Sequence, residues 1–289
     1  MGQFAPAVTL FFCFVSMSSS APAATPWPWP PLVRASVGWH VAALGGALFV
    51  PGAAPWALGA IVLNHVLITA SVLAPRSSLL GPNVTRLPAA AAARGEIALT
   101  IDDGPEPEVT PRVLDLLDAA GQRATFFCIA ERVAAHPALA REIVARGHSV
   151  QNHTARHRHD FSFLGPRGYA AEIARAQDML TELTGQRPSC FRAPAGFRNP
   201  FLAPVLHRMG LTLVSWTRRG FDTRERDAAK VLARLTHGLA GGDILLLHDG
   251  HAARTREGHP VILDVLPALL ARIEAAGLRS VTLPEGLKA

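Results

Sequence analysis

The pattern of apolar and polar residues changes near residue 95. Beyond it, short apolar runs bounded by turn residues alternate with longer stretches of helical period, which predicts strands separated by helices. The predicted strands are 96–101, 124–129, 148–152, 189–192, 211–216, 243–248 and 279–283. The predicted helices are 111–120, 137–146, 167–184, 200–209, 227–239 and 261–276. About seven parallel βαβ units fit either a closed barrel or an open doubly wound sheet, and both place sites at the carboxyl ends of the strands.

Residues 1–90 are a different region, apolar, rich in Ala and Pro, and free of Asp, Glu and Lys. An apolar run at 8–24 is signal-like but has no basic residues before it. Two further apolar stretches, 37–51 and 53–74, are separated by a Pro-Gly break, and the second is about as long as a bilayer requires. We therefore divide the region into a Pro/Ala-rich segment at 1–35, a membrane-associated helical hairpin at 36–75 and a linker at 76–95. The alternative is a buried hairpin in a soluble fold, which the scarcity of ionisable residues disfavours.

The polar residues of the hairpin bear on its placement. Asn64 and His65 lie within the second stretch, and because both are costly in contact with lipid we expect them to face the other helix. The connecting loop has no charge, and arginines flank the pair: Arg34 before it, and Arg76, Arg86 and Arg94 after it. The positive-inside rule then favours both ends on the cytoplasmic side of a bacterial-type inner membrane, unless a third segment at 8–20 reverses the topology. We predict a membrane-anchored protein and leave the side of its remaining domain open.

Charge and cysteine content exclude two classes of protein. The formal charge is +6, from 28 basic and 22 acidic residues, yet the arginines are scattered and form no block that would track a nucleic-acid backbone. We therefore predict no nucleic-acid partner, and no protein partner is identifiable. The three cysteines form no CxxC motif, and an odd number argues against a disulfide framework.

The first predicted strand ends in two adjacent carboxylates, Asp102 and Asp103, followed by Gly104-Pro105. One interpretation is a turn, because Asp-Gly-Pro favours turns. The other is that the two carboxylates do different work. Successive side chains of a strand point in opposite directions, so one Asp can bind a metal ion while its neighbour approaches from another side as a base. That interpretation requires partners elsewhere in the chain.

Candidate partners follow other strands. His153 and His157 come after the third strand, four residues apart, and would face one point if the segment turned helically. Two His and a carboxylate make a three-ligand site for a divalent metal, with positions left for water and substrate. Three further candidates lie at the ends of later strands, and each has a structural alternative. Arg192 is either the partner of a carboxylate or a surface residue. Asp222 is either a site residue or a helix cap, and His248 is either a site residue or a structural His.

Taken in order, these motifs resemble those of the polysaccharide deacetylases, carbohydrate esterase family 4, over residues 96–283. TIDDGP resembles the family's first motif, usually T-F-D-D-G-P, and HTARH matches its H-[ST]-x-x-H. RAPAG, GFDT and LLLHD match the third, fourth and fifth motifs. Five motifs in family order are far more specific than any one of them. The resemblance implies a distorted (β/α)7 barrel-like α/β domain, here residues 96–289 behind the hairpin, that hydrolyses N-acyl groups of amino sugars.

The resemblance also implies catalytic roles. Asp103, His153 and His157 would bind a divalent metal ion, usually zinc, with cobalt or another divalent ion as the alternative. Asp102 would be the general base, which takes a proton from the attacking water. His248 would be the general acid, which protonates the departing amine.

The supporting residues are implied in the same way. Arg192 would orient and tune the base, and Asp222 would position Arg192 or tune the acid. Pro194, Ala195 and Leu246 would contact the substrate, and the backbone N–H of Ala195 would help to hold the oxyanion.

Two departures from the family pattern concern the substrate. Ala195 stands where many members have an aromatic residue, and Thr223 stands where many have Trp. These side chains line the substrate groove in the family, so their absence puts the usual polymeric substrate in doubt. Together with the hairpin, the departures favour an envelope glycan or a lipid-linked amino sugar as substrate, with an acetyl or a formyl group removed.

Two other classes of function stay open. Non-haem Fe(II) oxygenases also use two His and one carboxylate, although they usually have antiparallel folds. A membrane-anchored glycan-binding protein that has lost catalysis is the second class, and it would need neither Asp102 nor His248.

Overall fold

The computed structural model describes residues 26–288, so the signal-like run at 8–24 lies outside the described residues. Two long helices come first, α1 (Pro31–Phe49) and α2 (Ala54–Val72), and the short helix α3 (Ala89–Ala93) precedes the sheet. The strands are β1 (Glu96–Asp102), β2 (Ala124–Cys128), β3 (Ser149–Asn152), β4 (Cys190–Phe191), β5 (Thr212–Leu213), β6 (Arg218–Arg219), β7 (Ile244–His248) and β8 (Arg279–Ser280). The other helices are α4 (Thr110–Ala119), α5 (Ala130–Ala135), α6 (Pro137–Ala145), α7 (Pro166–Thr184), α8 (Leu202–Arg208), α9 (Ala228–Thr236), α10 (Val261–Ala275) and α11 (Leu283–Gly286).

The strands form one parallel sheet that curls on itself. Their order is β5-β4-β3-β2-β1-β7-β6, with β8 beside the start of β1. Only residues 214–217 join the edge strands β5 and β6 and can span at most about 18 Å, so the two edges must approach each other. The linker crosses the gap, where Val84 N–H donates to Leu213 O at 2.9 Å and Leu87 N–H donates to Gly242 O at 2.8 Å. The predicted barrel-like sheet is therefore confirmed, as a half-barrel.

Alternate side chains of the central strands serve two different cores. On β1, Leu99 packs with helices α4 and α10, whereas Ala98 faces the inside of the half-barrel together with Leu246 of β7. Every residue of β1 is buried, because both faces of the parallel sheet are covered. The inward positions of these strands end in Asp102 and His248, which are paired in the sheet register. The core thus determines which side chains reach the carboxyl end of the sheet from the inside.

The first two helices form the expected hairpin. Each has 19 residues and is about 28 Å long, close to the thickness of a bilayer's hydrocarbon core. Both are long and apolar enough to cross a membrane, and most of their side chains are exposed. The polar residues make the expected contacts with the other helix: Asn64 donates to Ser36 Oγ at 2.9 Å, and the imidazoles of His40 and His65 approach to 3.4 Å.

Several elements differ from the prediction. Helix α1 begins at Pro31, inside the segment assigned as Pro/Ala-rich, because Pro is tolerated in the first turn of a helix. Strands β4 and β5 are only two residues long, and β6 was not predicted, because its two residues are both Arg. The helices α3, α5 and α11 were also not predicted, and they have only five, six and four residues.

Candidate active site

Asp102 and Asp103 lie together at the carboxyl end of the central strand. Asp102 is the last residue of β1 and lies in register with His248 of β7. Asp103 follows with a φ of 75°, a left-handed conformation that Asp adopts more readily than most residues. Both carboxylates are buried, and both line the same cavity. The segment is therefore a turn, and it is a turn that directs two carboxylates to one place.

Asp103 meets the two predicted histidines. Its Oδ1 lies 3.2 Å from His153 Nε2 and 3.3 Å from His157 Nε2, and the three ligand atoms lie within 4.8 Å of one another. The two rings converge, but not through a helical turn of the segment 153–157. Left-handed φ values at Thr154 (69°) and His157 (52°) bring the two rings together instead. Asp103 Oδ1 is buried and has no hydrogen-bond partner among the described residues, so a divalent cation fits between these three side chains.

The protonation of this cluster also suits a cation. His153 Nδ1 donates to the carbonyl of Arg192 at 2.9 Å, which leaves the Nε2 lone pair directed at Asp103. Burial, with repulsion from His153, lowers the pKa of His157 to about 4, so this ring is neutral near pH 7. Burial also lowers the pKa of His153, but the neighbouring carboxylates outweigh it and raise that pKa. A metal ion would therefore compete with a proton for His153 Nε2.

Arg192 holds the second carboxylate. Its side chain is 1% exposed, so the interpretation of Arg192 as a surface residue is wrong. Its Nη1 donates to Asp102 Oδ1 at 2.7 Å, and its Cζ lies 4.1 Å from the centre of the Phe127 ring. The guanidinium makes three further bonds, to Thr100 Oγ1 at 2.7 Å, Ser215 O at 2.8 Å and Val214 O at 3.3 Å. These contacts fix the guanidinium and, through it, the orientation of the Asp102 carboxylate.

Asp222 pairs with His248 rather than with Arg192. His248 Nδ1 donates to Asp222 Oδ1 at 2.9 Å, and the His248 backbone N–H donates to Oδ2 at 2.7 Å. Burial lowers the pKa of His248, but the charge and hydrogen bond of Asp222, together with the charges of Asp102 and Asp103, outweigh burial and raise that pKa to about 9. The ring is therefore protonated near pH 7. Asp222 is not a helix cap, since Asp227 caps the following helix α9.

These residues surround one cavity of about 340 Å³, near the small end of the range of about 300–1,000 Å³ for small-molecule sites. Its polar and ionisable lining consists of Asp102, Asp103, His153, His157, His159, Arg219, Thr223, Arg224, His248 and His251. The predicted substrate residues Ala195 and Leu246 also line it. Pro194 is buried and belongs to the same short turn as Ala195, but it does not form part of the lining.

Among the residues in and around the cavity that had no role predicted from the sequence, three bear on the charges of the site. His251 Nδ1 lies 2.8 Å from Asp103 Oδ2, the oxygen that faces away from the His pair. Asp249 is buried and accepts from Thr110 Oγ1 at 2.5 Å, and burial raises its pKa to about 7. Arg219 lines the cavity from β6. The signals were weak: Asp249 ends the fifth motif, His251 lies two residues beyond it, and β6 has no apolar pattern.

Comparison with known proteins agrees with this geometry. The family described as Polysaccharide deacetylase matches residues 90–214. A peptidoglycan-N-acetylglucosamine deacetylase of Bacillus cereus is 31% identical over 199 residues, which are 66% of this chain and 88% of that protein. A chitooligosaccharide deacetylase of Azorhizobium caulinodans is 31% identical over 201 residues, 66% of this chain and 94% of that protein. The solved structure of the Bc1960 peptidoglycan N-acetylglucosamine deacetylase has a TM-score of 0.65 at 26% identity, and covers 72% of this chain and 93% of that one.

The parallel half-barrel and these relatives argue against a non-haem Fe(II) oxygenase, because those enzymes usually have antiparallel folds. The chain belongs to the polysaccharide deacetylases, carbohydrate esterase family 4, which are metalloenzymes that hydrolyse amide bonds.

Proposed function

We propose that the chain uses a bound divalent metal ion to remove acetyl or formyl groups from amino sugars of an envelope glycan or a lipid-linked saccharide. One observation carries the proposal, which is that the two neighbouring carboxylates have separate partners. Asp103 lies between two imidazoles, with its Oδ1 at 3.2 and 3.3 Å from their Nε2 atoms. Asp102 is bound by Arg192 instead and lies beside His248 in the sheet.

Asp103, His153 and His157 would hold the metal ion. We propose zinc, with cobalt as the alternative, because two imidazoles and one carboxylate are a common zinc ligand set that leaves a position open. The buried Asp103 Oδ1, which has no hydrogen-bond partner among the described residues, supports this assignment. Bound there, the cation would lower the pKa of a water molecule and polarise the acyl carbonyl.

Asp102 is the proposed general base. Its Oδ1 accepts from Arg192, which leaves Oδ2 to accept a proton from the attacking water. Oδ2 lies on the side of the metal ligands, 3.9 Å from His153 Nε2. A well-placed base of this kind typically contributes about 10²–10⁴-fold to the rate.

His248 is the proposed general acid. Its Nδ1 is occupied by Asp222, so the proton that can be transferred to the departing amine is on Nε2. With a pKa of about 9, the ring is protonated at neutral pH and can donate its proton when the carbon–nitrogen bond breaks. The proton accepted by Asp102 must then pass to His248 or to solvent before the next turnover.

The cavity wall would position the acyl group. The short turn Pro194–Gly196 places the backbone of Ala195 on the wall, and we assign its N–H to the developing oxyanion. Leu246 supplies an apolar contact for the acyl methyl group. The small side chains of Ala195 and Thr223 leave that part of the wall open.

The attachment of the hairpin supports a substrate at a membrane surface. Pro75 lies three residues beyond the end of α2, and its carbonyl accepts from Ser215 Oγ at 2.7 Å. Pro75 also packs against Gly196, where an added Cβ would lie 2.6 Å from Pro75 Cβ and 2.8 Å from Trp216. Gly196 and Trp216 both line the cavity. We therefore propose that the hairpin anchors the protein in a bacterial-type inner membrane, with the catalytic cavity close to the bilayer.

The test is acyl release by the full chain, stripped of metal and reloaded with zinc or cobalt. N-Acetylglucosamine oligomers serve as substrate, Asp102→Asn as the variant, and Asp178→Asn, an exposed position on α7, as the matched control. We expect metal-dependent acetate release that falls by about 10²–10⁴-fold in Asp102→Asn at unchanged metal content. Equal release by Asp102→Asn would refute the base. A protein that binds these oligomers but releases no acyl group from any amino sugar would be the glycan-binding alternative.

A further inference from the structure

Arg219 faces the catalytic cavity from the edge of the sheet. It pairs in register with Leu246, which also lines the cavity, so the two side chains share the inward face. The preceding residue, Arg218, points the other way and binds Asp243 and the carbonyls of residues 237 and 238. The two adjacent arginines thus have different surroundings: Arg218 is bound to neighbouring parts of the fold, and Arg219 lies at the cavity.

The guanidinium of Arg219 is held in place but not neutralised. Its Cζ lies 5.3 Å from the centre of the Trp216 ring and 5.1 Å from that of Phe221, within the range of cation–π contacts. Its Nε is buried and has no hydrogen-bond partner among residues 26–288. Burial lowers the pKa of Arg219, as expected of a cation removed from water without a close counter-ion.

We propose that Arg219 binds an anionic oxygen group, phosphate or carboxylate, that the amino-sugar substrate carries next to its acylated sugar. The planar guanidinium presents paired donors that match both groups, and the two aromatic rings fix its plane. Arg224, exposed on the same wall, adds positive charge on that side. This inference rests on the proposed function and narrows its substrate to acidic amino sugars.

Charge balance is the competing explanation, because Arg219 also lies in the field of Asp102 and Asp222. An arginine that only balanced these carboxylates would affect every substrate equally. An arginine that binds the substrate's own anion would affect the acidic substrates alone. The ratio between two substrates therefore separates the two explanations.

The experiment compares three disaccharides of the same size: chitobiose, chitobiose 1-phosphate, and a disaccharide of N-acetylglucosamine and N-acetylmuramic acid, which carries a carboxylate. The metal-loaded full chain is assayed as wild type, Arg219→Gln and Arg219→Lys. Arg187→Gln is the control, because Arg187 is exposed just before β4, at the opposite end of the sheet. Binding of all three disaccharides is also measured by calorimetry in the Asp102→Asn background, with and without Arg219→Gln.

We expect kcat/KM of the wild type to favour at least one acidic disaccharide over chitobiose by about tenfold or more. The arm with the larger ratio identifies phosphate or carboxylate as the group recognised. Arg219→Gln should remove most of this ratio, Arg219→Lys part of it, and Arg187→Gln none. Equal kcat/KM on all three substrates, or a fall in Arg219→Gln that is the same for all three, would overturn the proposal. If no disaccharide is hydrolysed, calorimetry still decides: tighter binding of either acidic disaccharide that Arg219→Gln abolishes supports the subsite, and equal binding of all three refutes it.

Discussion

The substitution Asp222→Asn should change the pH dependence of the enzyme more than its maximal rate. Asp222 is the close counter-charge of His248, and it accepts from both Nδ1 and the backbone N–H of that residue. With the charge removed, the buried surroundings of His248 remain. Burial lowers the pKa of an imidazole, and the weaker effects of the Asp102 and Asp103 charges raise it, so the pKa of His248 should fall from about 9 to near its ordinary value of 6.5.

The size of the effect follows from these two pKa values. At pH 8 a group with a pKa of 9 is about 90% protonated, and one with a pKa of 6.5 is about 3% protonated, so the loss of rate is roughly 30-fold. At pH 5.5 both forms are at least about 90% protonated, and the loss through His248 nearly vanishes. A bound divalent cation lowers the pKa of His248 in both proteins, so the difference between the two profiles is the quantity to compare.

The assay is the pH profile of kcat/KM for wild type and Asp222→Asn, each with its full complement of metal. The alkaline limb should move to lower pH in the variant while the acid limb stays in place. Melting temperatures at each pH serve as the control, because an Asn amide opposite the His248 backbone N–H also costs a buried hydrogen bond. Two superimposable alkaline limbs would refute the assignment of His248 as an acid tuned by Asp222.

Three other substitutions test separate parts of the site. His251→Ala should weaken metal binding by about 10–100-fold, because the substitution removes the partner of Asp103 Oδ2. Titration with zinc in the presence of a competing chelator measures the affinity, and an unchanged affinity would contradict the prediction. Arg192→Met should lower the free energy of unfolding by about 3–5 kcal/mol and abolish turnover, because Asp102 would stay buried without its counter-charge. Denaturant unfolding and the activity assay measure the two effects, and a change in the free energy of unfolding as small as that of an exposed residue would contradict the prediction. Asp249→Asn should stabilise the metal-free protein more at pH 8 than at pH 4. Burial raises the folded-state pKa of Asp249 from 3.8 to about 7, so the ionisation of this carboxyl opposes folding increasingly above pH 3.8 and fully above pH 7.

The alternation of strands and helices made the catalytic domain predictable from sequence. Strands β1, β2 and β7 are buried, mostly apolar runs of five to seven residues, and the structure places each within one residue of its predicted bounds. The same pattern brought the ends of β1 and β7 together, because parallel strands end at one edge of the sheet. Separately, the cost of polar side chains in contact with lipid predicted that Asn64 and His65 would contact the other helix of the hairpin.

What sequence analysis did not predict depends on loops and on single side chains. His153 and His157 converge through left-handed turns at Thr154 and His157, whereas their spacing predicted convergence only if the segment turned helically. The role of Arg219 depends on β6, a two-residue strand that exists because β7 offers it backbone partners and not because of any apolar pattern. Tertiary contacts determine both features, and no short window of sequence contains them.

The pair of carboxylates at the end of β1 shows how a local exception to strand geometry makes a site. Alternation directs Asp102 into the half-barrel with Ala98 and Thr100, and on a continuing strand it would direct Asp103 toward the helix layer, away from the cavity. The φ of 75° at Asp103 ends the strand and brings its side chain back to the cavity from another direction. Neighbouring residues can therefore serve one reaction without sharing partners: Asp102 binds Arg192, and Asp103 faces the two imidazoles. Substitution of Asp103 by a residue that disfavours left-handed φ would therefore disrupt this arrangement, even if the new side chain could bind a metal ion.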